Sequence, residues 1–187
     1  MTEIKAIETV YNGIHFRSRA EARWAVFFDA LRIKYFYEPE GLIFSDGTCY
    51  LPDFFLPETN TFFEVKGVMD GKSAKKIGLL LEQSDKHVVV GYPDMSFEAS
   101  DDWEKNFPHS LSSKSESVLA LCNVCGKPYF MGMLGSFRCR SCGNYCGDQG
   151  FEIVAEADKM SQDYLQGDIR DAYLLAIGKR FEFEERR

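Results

Sequence analysis

Asp53, Glu64 and Lys66 are the residues of this sequence whose types and spacing speak most directly of chemistry. Pro52-Asp53 is followed, after ten residues, by Glu64-Val65-Lys66. Two carboxylates can share one hard cation such as Mg²⁺, which takes oxygen ligands and keeps several waters. A cation held in this way polarises a phosphate and acidifies a water. Side chains alternate along a strand, so residues 64 and 66 share a face and Lys66 points where Glu64 points. There an ammonium can orient a nucleophile and stabilise the charge that develops on phosphate. The backbone carbonyl of Val65 is a further oxygen donor between them. The runs around these charges are apolar, Tyr50-Leu51 and Phe54-Phe55 about Asp53 and Phe62-Phe63 before Glu64. Charged groups in buried strands need partners. A bare Glu-x-Lys is also compatible with a surface hairpin carrying a routine ion pair. The upstream aspartate, and Glu21 on a preceding helix, favour the site.

The second constellation is Cys122-Asn123-Val124-Cys125 and Cys139-Arg140-Ser141-Cys142, two knuckles separated by thirteen residues. Gly126 and Gly143 follow each pair and allow the tight turn that brings backbone NH groups to sulfur. Four thiolates suit a closed, tetrahedral, structural Zn²⁺ site. A redox dithiol and an iron–sulfur site are the competing uses. Cys146 is expected to be spare. The module is similar to a zinc ribbon, with Tyr129-Phe130-Met131 and Ser136-Phe137-Arg138 as the two strands of a hairpin. It either stabilises a small unit through metal-coupled folding, grips nucleic acid with Lys127, Arg138 and Arg140, or docks a protein.

These groups need a scaffold. Thr9 to Phe16 reads as an extended lead-in. Ser18, with Glu21 three positions on, is a capping box that starts a helix from about Arg19 to Leu31. Tyr35–Tyr37, Leu42–Phe44, Cys49–Phe55 and Phe62–Lys66 are β-type runs, with Cys49 expected to be buried. Ser73 is expected to cap a helix to about Gln83, and His87–Gly91 is a short strand of the buried kind. This order implies an α/β (α+β) fold: one mixed sheet flanked by helices, plus the small zinc ribbon. Residues 1–92 form the core and 93–117, acidic and serine-rich, read as a linker. Residues 118–147 form the cysteine module. Residues 148–187 read as one or two helices packing on the core, with a break at Gly167.

The 187 residues are 45% hydrophobic and 27% charged, which is ordinary for a soluble globular chain. The sequence lacks a membrane span and a secretory-type N-terminus, so paired cysteines point to metal in a reducing cytoplasm. The net charge of −7 argues against a nucleic-acid partner. The acidity is local, however. Residues 147–187 hold ten acids and six bases, whereas Leu111–Cys146 carries Lys114, Lys127, Arg138 and Arg140 against Glu116 alone. Arg17, Arg19 and Arg23 cluster around Glu21. Arg19 and Arg23, four apart, either share a helical face with a phosphate or pair with nearby acids. Lys72, Lys75 and Lys76 open the second helix, where a phosphate could also sit, or they form a solvated face. His15 reads as structural or surface.

Glu21 on the first helix, Pro52-Asp53 and Glu64-Val65-Lys66 together resemble the PD-(D/E)xK nuclease superfamily. Their order resembles that of phage Holliday-junction resolvases and transposon end-cleaving nucleases. The string Phe16-Arg17-Ser18-Arg19-Ala20-Glu21-Ala22-Arg23-Trp24 resembles a group of small phage- and plasmid-borne nucleases of this type. The resemblance covers residues 11 to 91. It implies a restriction-endonuclease-like mixed sheet and an Mg²⁺- or Mn²⁺-dependent endodeoxyribonuclease in the cytoplasm of a bacterial cell, with phage genomes among the sources of such chains. Asp53 and Glu64, with the Val65 carbonyl, would be metal ligands, and Lys66 the catalytic lysine. Glu21 would assist the metal or hold Lys66. DNA is the implied substrate, RNA an alternative. Cutting both strands would call for a homodimer. The competing reading is a non-catalytic adaptor for nucleic acid or protein, such as a phage-encoded inhibitor of a host system.

Overall fold

A computed structural model describes residues 6–100, 110–132, 137–143, 145–146, 150–160 and 167–181. The chain opens with a hairpin of β1 (Thr9–Tyr11) and β2 (Ile14–Phe16). Then α1 (Arg19–Ala30) begins where the sequence places it: the Ser18 hydroxyl accepts from the Glu21 NH, and Glu21 returns to the Ser18 hydroxyl. Its apolar side buries Trp24, Ala25, Phe27 and Phe28. Short strands follow: β3 (Phe36–Tyr37), β4 (Leu42–Ile43), β5 (Cys49–Tyr50), β6 (Phe54–Leu56) and β7 (Thr61–Val65). Next come α2 (Gly71–Gln83), β8 (His87–Gly91) and β9 (Phe97–Ala99). The main sheet has the order β3-β6-β7-β8-β9 and is mixed, because β7 and β8 are parallel and the other neighbours antiparallel. The parallel step needs a crossover, and α2 supplies it.

The sheet separates two cores. On one face Phe54, Phe63, Val89 and Phe97 pack with Trp24 and Phe28 of α1. Trp24 lies 4.6 Å from Phe63, ring centre to ring centre, and its indole NH donates to the Tyr92 carbonyl at 3.1 Å. On the other face Phe62, Val88 and Val90 meet Ile77, Leu80 and Leu81 of α2, with Phe44 and Tyr50 of the β4–β5 hairpin. Gly91 is where these demands collide. A Cβ there would lie 2.5 Å from Phe63 and 2.7 Å from Trp24. Gly91→Ala is therefore expected to cost about 1–3 kcal/mol through overpacking, read as a lower midpoint in urea unfolding.

Several expectations are corrected. Residues 93–117 are not simply a linker. Phe97–Ala99 is the edge strand of the main sheet, and Met95, Phe97 and Ala99 are fully buried. The alternation Met95-Ser96-Phe97-Glu98-Ala99 carries the strand period, beneath an acidic composition; 101–109 lie outside the described residues. The cysteine module is not an independent ribbon either. Here β10 (Ser117–Cys122) pairs with β11 (Pro128–Gly132), while β12 (Phe137–Arg138) pairs with β13 (Tyr145–Cys146). Among the described residues, 129–131 pair with β10 and 137–138 with β13, in place of the expected pairing of 129–131 with 136–138. Residues 151–156, expected to be helical, are β14 (Phe151–Glu156), which completes the sheet β11-β10-β14. Strand pairing overrides a helical spacing that short segments carry only weakly. The C-terminal helix α3 (Gly167–Gly178) does pack on the core, burying Ile169, Ala172, Tyr173 and Ala176 beside α1. The cap of α2 is Asp70, not Ser73, whose NH it binds at 2.8 Å. Cys49 is in a strand but exposed. No helix among the described residues is long and apolar enough to cross a membrane.

Candidate active site

The β6–β7 hairpin makes the site. Its antiparallel register pairs Phe54 with Phe63 and Phe55 with Phe62. Continuing outward by one residue sets Asp53 opposite Glu64, which explains the ten-residue spacing. The two carboxylates share the sheet face that α2 and the β4–β5 hairpin cover. Both are buried: Glu64 is 0% and Asp53 5% exposed.

Their partners are closely specified. Lys66 Nζ lies 3.1 Å from Asp53 Oδ2 and 3.0 Å from Glu64 Oε2. The Val65 NH donates to Asp53 Oδ2 at 2.7 Å, and the Asp53 NH donates to Glu64 Oε1 at 3.3 Å. The Tyr50 hydroxyl donates to Glu64 Oε2. Burial and the Glu64 charge hold the Tyr50 phenol far above its ordinary range, so it stays a donor. The Lys66 NH donates to the Gly91 carbonyl at 3.0 Å, which locks the end of β7 to β8.

Arg17 supplies a second cation. Its Nη2 meets Asp53 Oδ1 at 2.6 Å and its Nε meets Glu38 Oε1 at 2.7 Å. Glu38 sits at φ +45° and donates its NH to the Asp53 carbonyl at 2.9 Å. A left-handed conformation is costly for a residue with a side chain, and here it places a carboxylate beside Arg17.

The charges do not balance comfortably. Burial, and then the neighbouring Asp53 carboxylate, push the Glu64 carboxyl up to about 7, against the pull of Lys66 and Tyr50. Burial alone would lower Lys66, but Glu64 and Asp53 outweigh it and hold the ammonium above the usual lysine range. The buried Asp53 and Glu64 thus face two cations, Lys66 and Arg17, and the half-buried Glu38 draws on the same Arg17. Asp53 and Glu64 offer oxygen donors of the kind a hard divalent cation takes. The lysine side chain, 18% exposed, has solvent on one side to move toward.

Not every expected residue joins the site. Glu21 is buried but bonds to none of Asp53, Glu64 or Lys66. It accepts from the Ser18 hydroxyl at 2.7 Å, the Tyr37 hydroxyl at 2.6 Å and the Arg17 NH at 3.2 Å. Its part is to anchor the segment that carries Arg17. The Nε atoms of Arg19 and Arg23 are buried without a hydrogen bond. Lys75 pairs with Asp46 at 3.0 Å, and Lys76 lies over the Tyr50 ring at 5.5 Å. The Asp70 side chain caps the N-terminus of α2, the place offered either to a phosphate or to solvent. His15 is exposed. Tyr50, Tyr37 and Glu38 escape sequence reasoning, since their roles depend on contacts across the fold.

The four cysteines also converge. The sulfurs of Cys122, Cys125, Cys139 and Cys142 all lie within 4.8 Å of one another. Cys125 and Cys139 are 3.6 Å apart, and Cys122 and Cys142 4.0 Å. Tetrahedral zinc with bonds of about 2.3 Å requires sulfurs about 3.8 Å apart. The cluster can therefore hold a structural metal such as zinc. The Cys139 thiol, despite its burial, is drawn down to about 6 by donors from the Tyr129 hydroxyl and the Cys142 NH, which favours the ligating thiolate. Cys139→Ser is expected to abolish stoichiometric zinc and lower Tm by roughly 10 °C, as metal analysis and calorimetry would show.

No protein-family model matches this chain, and no curated protein matches it.

Proposed function

We propose that this protein is a metal-dependent endonuclease that hydrolyses DNA phosphodiester bonds, with Asp53, Glu64 and Lys66 as its reacting group. The observation that carries this reading is the convergence of two buried carboxylates, Asp53 and Glu64, on Lys66 at the open end of one hairpin. A purely structural ion pair gains nothing from a second buried carboxylate, and replacing such groups by apolar ones is commonly neutral or stabilising. The element order also supports it. A helix precedes an antiparallel meander bearing the carboxylates, and a second helix leads to a parallel strand, as the resemblance to PD-(D/E)xK nucleases implies.

Asp53 and Glu64 would hold Mg²⁺ or Mn²⁺, with the Val65 carbonyl as a further donor. When bound, the cation polarises the scissile phosphate and lowers the pKa of a water. The chain's own residues do the rest. Glu64 is kept in place by Tyr50 and the Asp53 NH. Lys66, released from bridging the carboxylates, is within reach of a phosphate oxygen and the attacking water, where a positive charge favours the transition state over the ground state. Arg17, half exposed at the rim, exchanges Asp53 for a substrate phosphate, a group its planar fork suits.

The test is incubation with supercoiled plasmid and with a four-way junction in Mg²⁺, Mn²⁺ or EDTA. Cleavage that needs the metal supports the nuclease, and the preferred substrate separates junction from duplex cutting. Binding of DNA or of a protein without cleavage in any metal would favour an adaptor instead.

A further inference from the structure

The cysteine module does not stand beside the nuclease-like core. It grips one place on it, the turn at Pro57–Asn60 that joins β6 to β7. Lys127 Nζ pairs with Glu58 Oε1 at 2.8 Å. The Ser141 hydroxyl donates to the Glu58 carbonyl at 2.5 Å, and Arg140 Nη1 donates to the Asn60 carbonyl at 3.4 Å. Lys127 follows the first knuckle, while Arg140 and Ser141 lie inside the second. Both halves of the cluster therefore reach the same four residues. The Ser141 NH in turn donates to the Tyr129 hydroxyl at 2.8 Å, and that hydroxyl contacts Cys139 Sγ at 3.2 Å. A continuous chain of contacts thus runs from a sulfur to the turn. Beneath it, Phe130 of β11 packs 5.2 Å from Phe63, and its carbonyl meets the buried His87 Nε2 at 2.7 Å.

This placement matters because β6 and β7 carry the carboxylates at their other ends. The register of β6 against β7 decides whether Asp53 faces Glu64, and the turn that joins them is the one point where the two strands are covalently linked. A slip of one residue would send one carboxylate to the opposite face. The same contacts engage two of the three bases expected to grip DNA, Lys127 and Arg140, in the clamp. The third, Arg138, donates to the Gly143 carbonyl at 3.0 Å.

We propose that the four-cysteine centre, with metal bound, is a clamp on the β6–β7 turn that holds the register of the Asp53–Glu64 pair. Glu58, Ser141, Lys127 and Arg140 are its positioning residues. The inference builds on the nuclease reading in assigning a purpose to the clamp, but its test does not depend on cleavage.

The experiment compares the zinc-loaded protein with the Glu58→Ala/Ser141→Ala double variant, also zinc-loaded, and with wild type stripped of zinc by a chelator. Amide hydrogen exchange is followed across 54–66, and Mn²⁺ binding is titrated calorimetrically. In the double variant zinc stays at one per chain, exchange across 57–65 quickens at least about tenfold, and Mn²⁺ binds several-fold more weakly. Stripped wild type shows the same signature with additional loss of protection across 118–142. Unchanged exchange across 57–65 in both samples overturns the clamp. If wild type binds no Mn²⁺ at all, the carboxylate site is refuted, and the exchange comparison still decides the clamp.

Discussion

Lys66→Ala is expected to slow metal-dependent plasmid cleavage by about 10²–10³-fold, the usual cost of removing one transition-state charge donor from a preorganised site. The geometry explains why no neighbour can substitute. Lys66 Nζ contacts both carboxylates within 3.1 Å. Arg17 reaches only Asp53, on the opposite oxygen. Lys66→Arg should not rescue activity, since a planar fork cannot occupy the position of a point charge between two strands. The substitution leaves zinc content and the circular dichroism spectrum unchanged, because the lysine belongs to neither hydrophobic core. Its absence does leave two buried carboxylates facing each other, so one takes up a proton. The metal-free variant should accordingly lose stability most at alkaline pH. Full cleavage by Lys66→Ala would refute the site assignment.

Glu64→Gln separates stability from function. The folded protein holds the Glu64 carboxyl at about 7, above its ordinary value of 4.5. A raised carboxyl binds its proton more tightly in the folded state than in the unfolded one. Its contribution to stability is therefore complete below the unfolded range and is lost as pH rises through about 7. Between pH 4.5 and pH 8 the metal-free wild type forfeits on the order of 2–3 kcal/mol by this route. Glutamine keeps one acceptor oxygen, for Tyr50 and Lys66 on the Oε2 side, gives up the long 3.3 Å bond from the Asp53 NH, and cannot ionise. Metal-free Glu64→Gln should match wild type at pH 5 and exceed it at pH 8, with Tm higher by roughly 5 °C. It should also bind no Mn²⁺ and cut nothing. In wild type, Mg²⁺ should raise Tm more at pH 8 than at pH 5.5, since ligands must be ionised to bind. A variant less stable than wild type at pH 8, or metal stabilisation that survives the substitution, would contradict the reading of Glu64 as a strained ligand.

Both results reflect one arrangement. The hairpin holds Asp53 and Glu64 buried and side by side, each in contact with Lys66. The aromatic cluster of Trp24, Phe28, Phe54, Phe63 and Phe130 is well placed for this, because it packs directly beneath the two strands. Burial of rings of this size is the largest single favourable contribution available to a small domain.

By itself the sequence determined whatever depends on short-range periodicity and covalent spacing. Period two put Glu64 and Lys66 on one face. The Ser18 hydroxyl capped the start of α1, and the two knuckles brought four sulfurs together. These features are legible because each is decided within a few residues by backbone geometry. Only the tertiary structure decided the partners. Arg17 meets Asp53 across 36 residues, and Tyr50 meets Glu64 from a separate hairpin. Glu21, which the resemblance to the nucleases would set to assist the metal or hold Lys66, is drawn instead to Ser18, Tyr37 and Arg17. The strands at 97–99 and 151–156 exist because β8 and β10 offer edges to pair with; a short strand is specified by its neighbour as much as by its own residues. Lys127 and Arg140, read from charge alone, suit DNA, yet the fold places Glu58 and the Asn60 carbonyl against them. A basic side chain goes to the nearest acceptor that the chain can hold in place, and that acceptor lay 69 residues away from Lys127.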